Sequence, residues 1–162
     1  MHSKTICLIL CIFIALLLLI AIIAPEWSSK SINSASMKMG LWKACIAQNN
    51  SKTTCKSIPS SLKNFPTTYL YLARIFAILG FLFILASIYF CIVDNNKYHV
   101  SLLLAGGIMS LIAIIVWKGK LQEIPAGGSL APIKYSSGIC LYMTLLASLS
   151  SIALFLYEKN TN

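Results

Sequence analysis

Four apolar runs dominate this chain, at residues 5–24, 69–93, 100–117 and 136–157. A helix that crosses a bilayer needs roughly 20 mostly apolar residues, because lipid offers its backbone no hydrogen-bond partners. These runs have that length, and Arg74 is the only Asp, Glu, Lys or Arg within them. A charge at the centre of a span costs about 2.5–3.5 kcal/mol on insertion scales, so the near-absence of charge is informative. Charged residues make up 10% of the chain and apolar residues 58%, with a mean hydropathy of +0.82. A soluble domain carries about a quarter charged residues, so an ordinary soluble domain is excluded, and so is disorder. The expectation is a single four-span membrane domain over residues 1–162. The first run exceeds the roughly 7–15 apolar residues of a signal-peptide core, and Pro25 sits directly after Ala24, so it reads as a retained span.

The connections are unequal. Residues 25–68 and 118–135 form the larger loops, while residues 94–99 form a tight turn and the tails are short. With four spans, both tails and the turn share one side. The positive-inside rule weighs Lys and Arg in flanking segments. The tails and turn carry three lysines (Lys4, Lys97 and Lys159) against nine in the larger loops, so this count places the larger loops in the cytoplasm.

The cysteines argue the other way. Cys7, Cys11, Cys91 and Cys140 lie in or at the ends of spans and read as small packing residues, with Cys91 a palmitoylation candidate. Cys45 and Cys55 share a loop. The pair alone allows either two cytosolic thiols or a bridge made in an oxidising compartment. Between them, Asn49-Asn50-Ser51 is an Asn-x-Ser sequon, which makes Asn49 a candidate for N-glycosylation.

The wider pattern decides the matter. Trp27 follows the first span, then come Gly40-Leu41-Trp42, two residues, Cys45, nine residues and Cys55, with Arg74 just inside the second span. This G-L-W-x-x-C…C pattern on a four-span layout resembles the claudin superfamily. That superfamily includes claudins, peripheral myelin and epithelial membrane proteins, the lens fibre membrane protein and calcium-channel gamma subunits. The resemblance implies a membrane all-α four-helix bundle, left-handed, with a small extracellular antiparallel β-sheet. It implies a Cys45–Cys55 bridge between neighbouring strands, and Gly40, Leu41 and Trp42 tucked against the outer ends of the helices. It also implies a second loop that adds an edge to the sheet, and an Arg74 that ties the sheet to the bundle. Both termini would be cytoplasmic in a multi-pass plasma-membrane protein. For Trp27 and Trp42, simple anchoring in the headgroup belt is the alternative role.

Helix association in lipid relies on small residues in close contact. Ala73, Ala77 and Gly80 in the second span, Gly106, Ser110 and Ala113 in the third, and Thr144, Ala147, Ser148 and Ser151 in the fourth form stripes that suit packing within one bundle. The lysines of the larger loops make that side cationic. A lysine-lined passage attracts anions, and by analogy with claudins Lys56 and Lys63 are the candidates for ion selection.

Catalytic chemistry is not expected. Only His2 and His99 are present, no Cys/His metal spacing or Gly-rich phosphate loop exists, and the four acids are scattered. No cofactor or metal is expected, and the +9 net charge does not imply nucleic acid when most of the mass is apolar. The resemblance implies a non-enzymatic protein of cell–cell contact or of a paracellular barrier. It would meet same-family membrane proteins in cis or trans, possible strand-mates within a tight junction. The alternative is an auxiliary subunit of a channel or receptor. The C-terminal Lys159-Asn160-Thr161-Asn162 lacks the aromatic-Val ending that docks PDZ scaffolds, so that partner is not expected.

Overall fold

A computed structural model describes residues 2–32, 35–48, 53–58, 67–121, 123–125, 132–134 and 136–161. It contains helices α1 (His2–Ile23), α2 (Thr67–Ile92), α3 (Asn96–Val116) and α4 (Ile139–Thr161). All four are long and apolar enough to cross a membrane. Helix α1 stops before Pro25, because proline disfavours helical backbone in the residue preceding it. Helix α2 ends on Asp94, whose φ of 62° is left-handed. There Asp94 N–H donates to the Cys91 carbonyl at 3.4 Å and Asn95 N–H to the Phe90 carbonyl at 3.0 Å. These two bonds make a Schellman cap, which satisfies carbonyls that the helix end would otherwise orphan. Helix α3 starts two residues later, so His99, expected in the turn, lies in the first turn of α3 and is buried. At its other end α3 widens into a π-helical turn, Trp117–Leu121.

The helices close a ring in which α1 packs on α2 and α4, and α3 packs on α2 and α4. The small-residue stripes face into this ring. Ala73, Ala77, Ser110, Ala113, Thr144, Ala147, Ser148 and Ser151 are all buried. Gly80 lies against Ser110 and Gly106, and a Cβ on Gly106 would come within 2.7 Å of Ile84 Cδ1. Such contact is what brings α2 and α3 together where lipid supplies no hydrophobic drive. The hydroxyls are satisfied locally or across helices: Thr144 donates to the Cys140 carbonyl at 2.8 Å, and Ser151 donates to the Leu103 carbonyl at 2.5 Å. Large side chains such as Ile9, Phe13, Leu82 and Ile115 point outward, as a lipid-facing surface requires.

A five-stranded antiparallel sheet caps one end of the ring. Its strands are β1 (Ser28–Ile32), β2 (Ala35–Met39), β3 (Lys43–Gln48), β4 (Thr54–Ser57) and β7 (Ser136–Ser137), in the order β4-β3-β2-β1-β7. The segment between α3 and α4 supplies an edge strand, β7, paired with β1 through Ser28↔Ser137 and Ser29↔Ser136; these serines, expected at the start of the fourth span, precede α4, which begins at Ile139. The same loop forms a separate ribbon of β5 (Glu123–Pro125) and β6 (Pro132–Lys134). Alternation gives the sheet two faces. Met37, Met39 and Ala44 pack on the bundle core, while Ser29, Ser36 and Lys38 lie on the other face. The buried core has two parts. One is centred on Trp27, Leu41, Leu70 and Trp117 beneath the sheet, and the other on Cys11, Ile14, Ile84 and Leu103 towards the opposite end.

Candidate functional site

The site is the junction between sheet and bundle, with the outward sheet face above it. It is organised by the short segment that links α1 to β1. Trp27 is fully buried and donates its indole N–H to the Ala21 carbonyl at 2.6 Å, folding its ring back onto the end of α1. Its backbone N–H donates to the Met39 carbonyl, and its own carbonyl accepts from Gly138 N–H, each at 2.9 Å. The Glu26 carbonyl accepts from Cys140 N–H at 3.1 Å. One segment thus holds the end of α1, strand β2 and the entrance to α4.

Trp117, where α3 meets its π turn, completes this core. Its ring lies 5.2 Å from that of Trp27 at an interplanar angle of 56°. Its indole N–H donates to Ser28 Oγ at 2.7 Å, and both residues are fully buried. Buried Trp needs such a partner, since an unpaired N–H away from water costs about 1–3 kcal/mol. Neither Trp117 nor Ser28 was singled out by the sequence pattern.

The Gly40-Leu41-Trp42 motif divides into three roles. Gly40 passes so close to the end of α1 that a Cβ would meet Pro25 Cα at 2.5 Å and the Ala24 carbonyl oxygen at 2.7 Å. Close approach, rather than a positive φ, is what requires glycine here. Leu41 is fully buried in the core. Trp42 is 38% exposed and reaches only the outer end of α2. The buried tryptophan of the first loop is Trp27. Trp42 instead forms one wall around Arg74. The Arg74 guanidinium lies 4.7 Å from the Trp42 ring centre and 5.3 Å from that of Tyr71, and Nε donates to the Leu41 carbonyl at 2.8 Å. Strand β4 closes the far side, with Ile58 N–H donating to the Trp42 carbonyl at 3.0 Å.

Cys45 and Cys55 stand opposite each other on β3 and β4 and are joined by a disulfide. Register places Cys45 beside Lys38 on the outward face, where Lys43 also lies by alternation. Lys38 forms an exposed ion pair with Glu26. Lys56 is exposed on edge strand β4, opposite Ala44, and so shares the bundle-directed side of the sheet. Lys63 and Asn49 lie outside the described residues. Ser29, Lys30, Ser31, Ser36, Met37, Lys38 and Ser136 line a shallow concavity of about 440 Å³ across β1, β2 and β7; Ser29, Ser31, Ser36 and Lys38 belong to the outward face, while register pairs Lys30 with Met37 on the other. Apart from Met37 these are ammonium and hydroxyl groups, able to bind anionic or carbonyl-bearing partners.

Comparison with curated proteins found no match. The family model described as PMP-22/EMP/MP20/Claudin matches residues 1–158. That match covers α1, α2, α3 and all but the last three residues of α4, the Gly40-Leu41-Trp42 segment and both bridged cysteines. The chain is a multi-pass membrane protein and belongs to the PMP-22/EMP/MP20/Claudin family.

Proposed function

We propose that this protein acts at the plasma membrane, with its sheet outside the cell and both termini in the cytoplasm, in cell–cell contact or a paracellular barrier. The observation that carries this reading is the asymmetry of the sheet. Its inward face is fastened to the bundle through Trp27, Leu41, Met39 and Arg74. Its outward face carries Lys38, Lys43 and serine hydroxyls, with Cys45 buried among them through its disulfide. A sheet anchored to the bundle on one side and presenting Lys43 and serine hydroxyls on the other, with Lys38 paired to Glu26, suits association with a second molecule in the same or an opposing membrane. The bridged cysteines support an outside location, since such bonds persist in oxidising compartments. They are set against the lysine count because a disulfide forms and persists only in an oxidising compartment, whereas the positive-inside rule is a statistical bias. In this reading Lys56 and Lys63 bias a passage between cells towards anions, Asn49 is a glycan acceptor, and no catalytic step is assigned.

The test is expression in an epithelial layer that lacks strands of its own, with conductance, dilution potential and freeze-fracture as readouts. Strands, or a changed conductance, are expected. Replacing Lys56 and Lys63 by Gln lowers chloride preference if those residues select ions. Absence of strands, unchanged conductance and stable co-purification of a channel or receptor would replace this reading with that of an auxiliary subunit. A membrane-impermeant amine label on intact cells, reaching Lys56 before permeabilisation, checks the orientation separately.

A further inference from the structure

At the end of the bundle opposite the sheet, three helices bring together side chains that are far apart in sequence. Cys7 from α1, Cys91 from α2 and His99 from α3 place their donor atoms within 4.8 Å of one another. Cys7 Sγ lies 3.4 Å from His99 Nε2. We propose that this cluster is a zinc site.

The histidine is already set for a ligand. His99 Nδ1 faces the Ser87 backbone carbonyl at 3.0 Å. A carbonyl oxygen only accepts, so Nδ1 carries the proton. In the neutral ring Nε2 then carries the lone pair, and Nε2 is the atom aimed at the sulfurs. A metal-bound histidine is held in this way, with its second nitrogen donating to a backbone carbonyl or carboxylate. Ser87 Oγ, 2.8 Å from Nδ1, donates to the His99 carbonyl at 3.1 Å and fixes the two helices locally. Ser87 and His99 are both buried, so the orientation is enforced by packing.

Spacing and charge select the metal. Two ligands on tetrahedral zinc, at about 2.3 Å for sulfur and 2.0 Å for nitrogen, lie about 3.6 Å apart, close to the Cys7–His99 separation. A thiol hydrogen bond between Cys7 and His99 would explain that distance alone. The metal reading rests on the third soft donor, Cys91, converging from another helix onto the same point. Two thiolates, a neutral imidazole and a divalent ion sum to zero charge, which suits a low-dielectric surrounding better than the net negative site a monovalent ion would leave. Cys91 is only half-buried, which provides an entry path and leaves room for a water as fourth ligand. The sequence shows no zinc motif because the ligands come from three helices. The proposal does not depend on the function of the sheet.

The experiment uses the full-length protein purified in detergent. Zinc content by mass spectrometry should be one ion per chain after incubation with zinc and desalting. Cobalt substitution should give thiolate charge-transfer absorption in the near ultraviolet and intense visible bands of a tetrahedral site. Cys7→Ser and Cys91→Ser should each abolish both signals, while Cys140→Ser keeps them. In the unmutated chain, zinc should slow alkylation of Cys91 at least about tenfold, a readout that survives if a variant fails to fold. Zinc well below one per chain, cobalt spectra without thiolate absorption, full occupancy in Cys91→Ser, or Cys91 alkylation indifferent to zinc would each overturn the proposal.

Discussion

Arg74 donates its Nε–H to the backbone carbonyl of Leu41 at 2.8 Å, joining the second membrane helix to the strand-leading motif of the sheet. A single charged residue inside four apolar runs is thereby explained. Its guanidinium is paired with a carbonyl and shielded by the faces of Trp42 and Tyr71. A hydrogen bond from a charged donor contributes about 1.5–3 kcal/mol, and a cation–π contact about 0.5–1 kcal/mol more. Arg74→Ala should therefore lower stability by about 2–4 kcal/mol, read as a fall in thermal midpoint in detergent. Arg74→Lys should recover only part of it, since a lysine lacks the flat guanidinium that bonds the carbonyl and stacks on the rings at once. Equal stability of Arg74→Ala and the parent would show that the tie contributes nothing.

Ser28 and Trp117 offer a cleaner energetic test because they are fully buried and meet through one hydrogen bond. Ser28→Ala leaves the indole N–H with no acceptor and should cost about 1–3 kcal/mol. In a Trp117→Phe background the same change should cost little, because the donor is gone. The double-mutant cycle should therefore give a coupling of about 0.5–3 kcal/mol. Additive effects of the two substitutions would contradict the bond.

These contacts show what could be read from the chain and what could not. The four helices are visible in sequence because length and hydropathy alone decide whether a segment suits a bilayer. The Cys45–Cys55 bridge and the tie through Arg74 came within reach through the G-L-W-x-x-C…C resemblance. The division of labour between Trp27 and Trp42 did not. Both lie in the first loop, and only the fold-back of the α1–β1 link onto Ala21 makes one a core residue and leaves the other at the surface. Trp117 meets Ser28 across 89 positions, and His99 meets Cys7 across 92, so neither pairing leaves a local pattern. His99 lies in a helix rather than a turn for a physical reason: the left-handed Asp94 ends α2 so abruptly that α3 is already helical by Asn96.

The bridge between Cys45 and Cys55 closes a loop of sequence separation 10. Restricting the unfolded chain in a loop of this size contributes about 2–3 kcal/mol. Removing it as Cys45→Ala with Cys55→Ala should lower stability by that amount and loosen β3 and β4 while the helices persist. Hydrogen exchange should rise in residues 43–57 and stay low in α2 and α3. Exchange rising equally throughout would mean that the sheet and bundle unfold as one unit. Intact-mass measurement of the unreduced parent should be two hydrogens lighter than the reduced protein.

Gly40 tests how closely the sheet must approach the bundle. The atoms a side chain would meet there are the backbone of Ala24 and Pro25, which cannot swing aside as a side-chain tip can. Gly40→Ala must therefore push β2 and the β3 lead-in away from the end of α1. That displacement strains the bond from Trp27 N–H to the Met39 carbonyl and the bond from Gly40 N–H to the Lys43 carbonyl, both 2.9 Å long. Overpacking of this kind costs about 1–3 kcal/mol. The expected outcome is a lower thermal midpoint together with a red shift and loss of intensity in tryptophan fluorescence, as water reaches Trp27 and Trp117. Gly40→Ala with unchanged stability and unchanged emission would mean that the approach between Gly40 and Pro25 is looser than the structure has it.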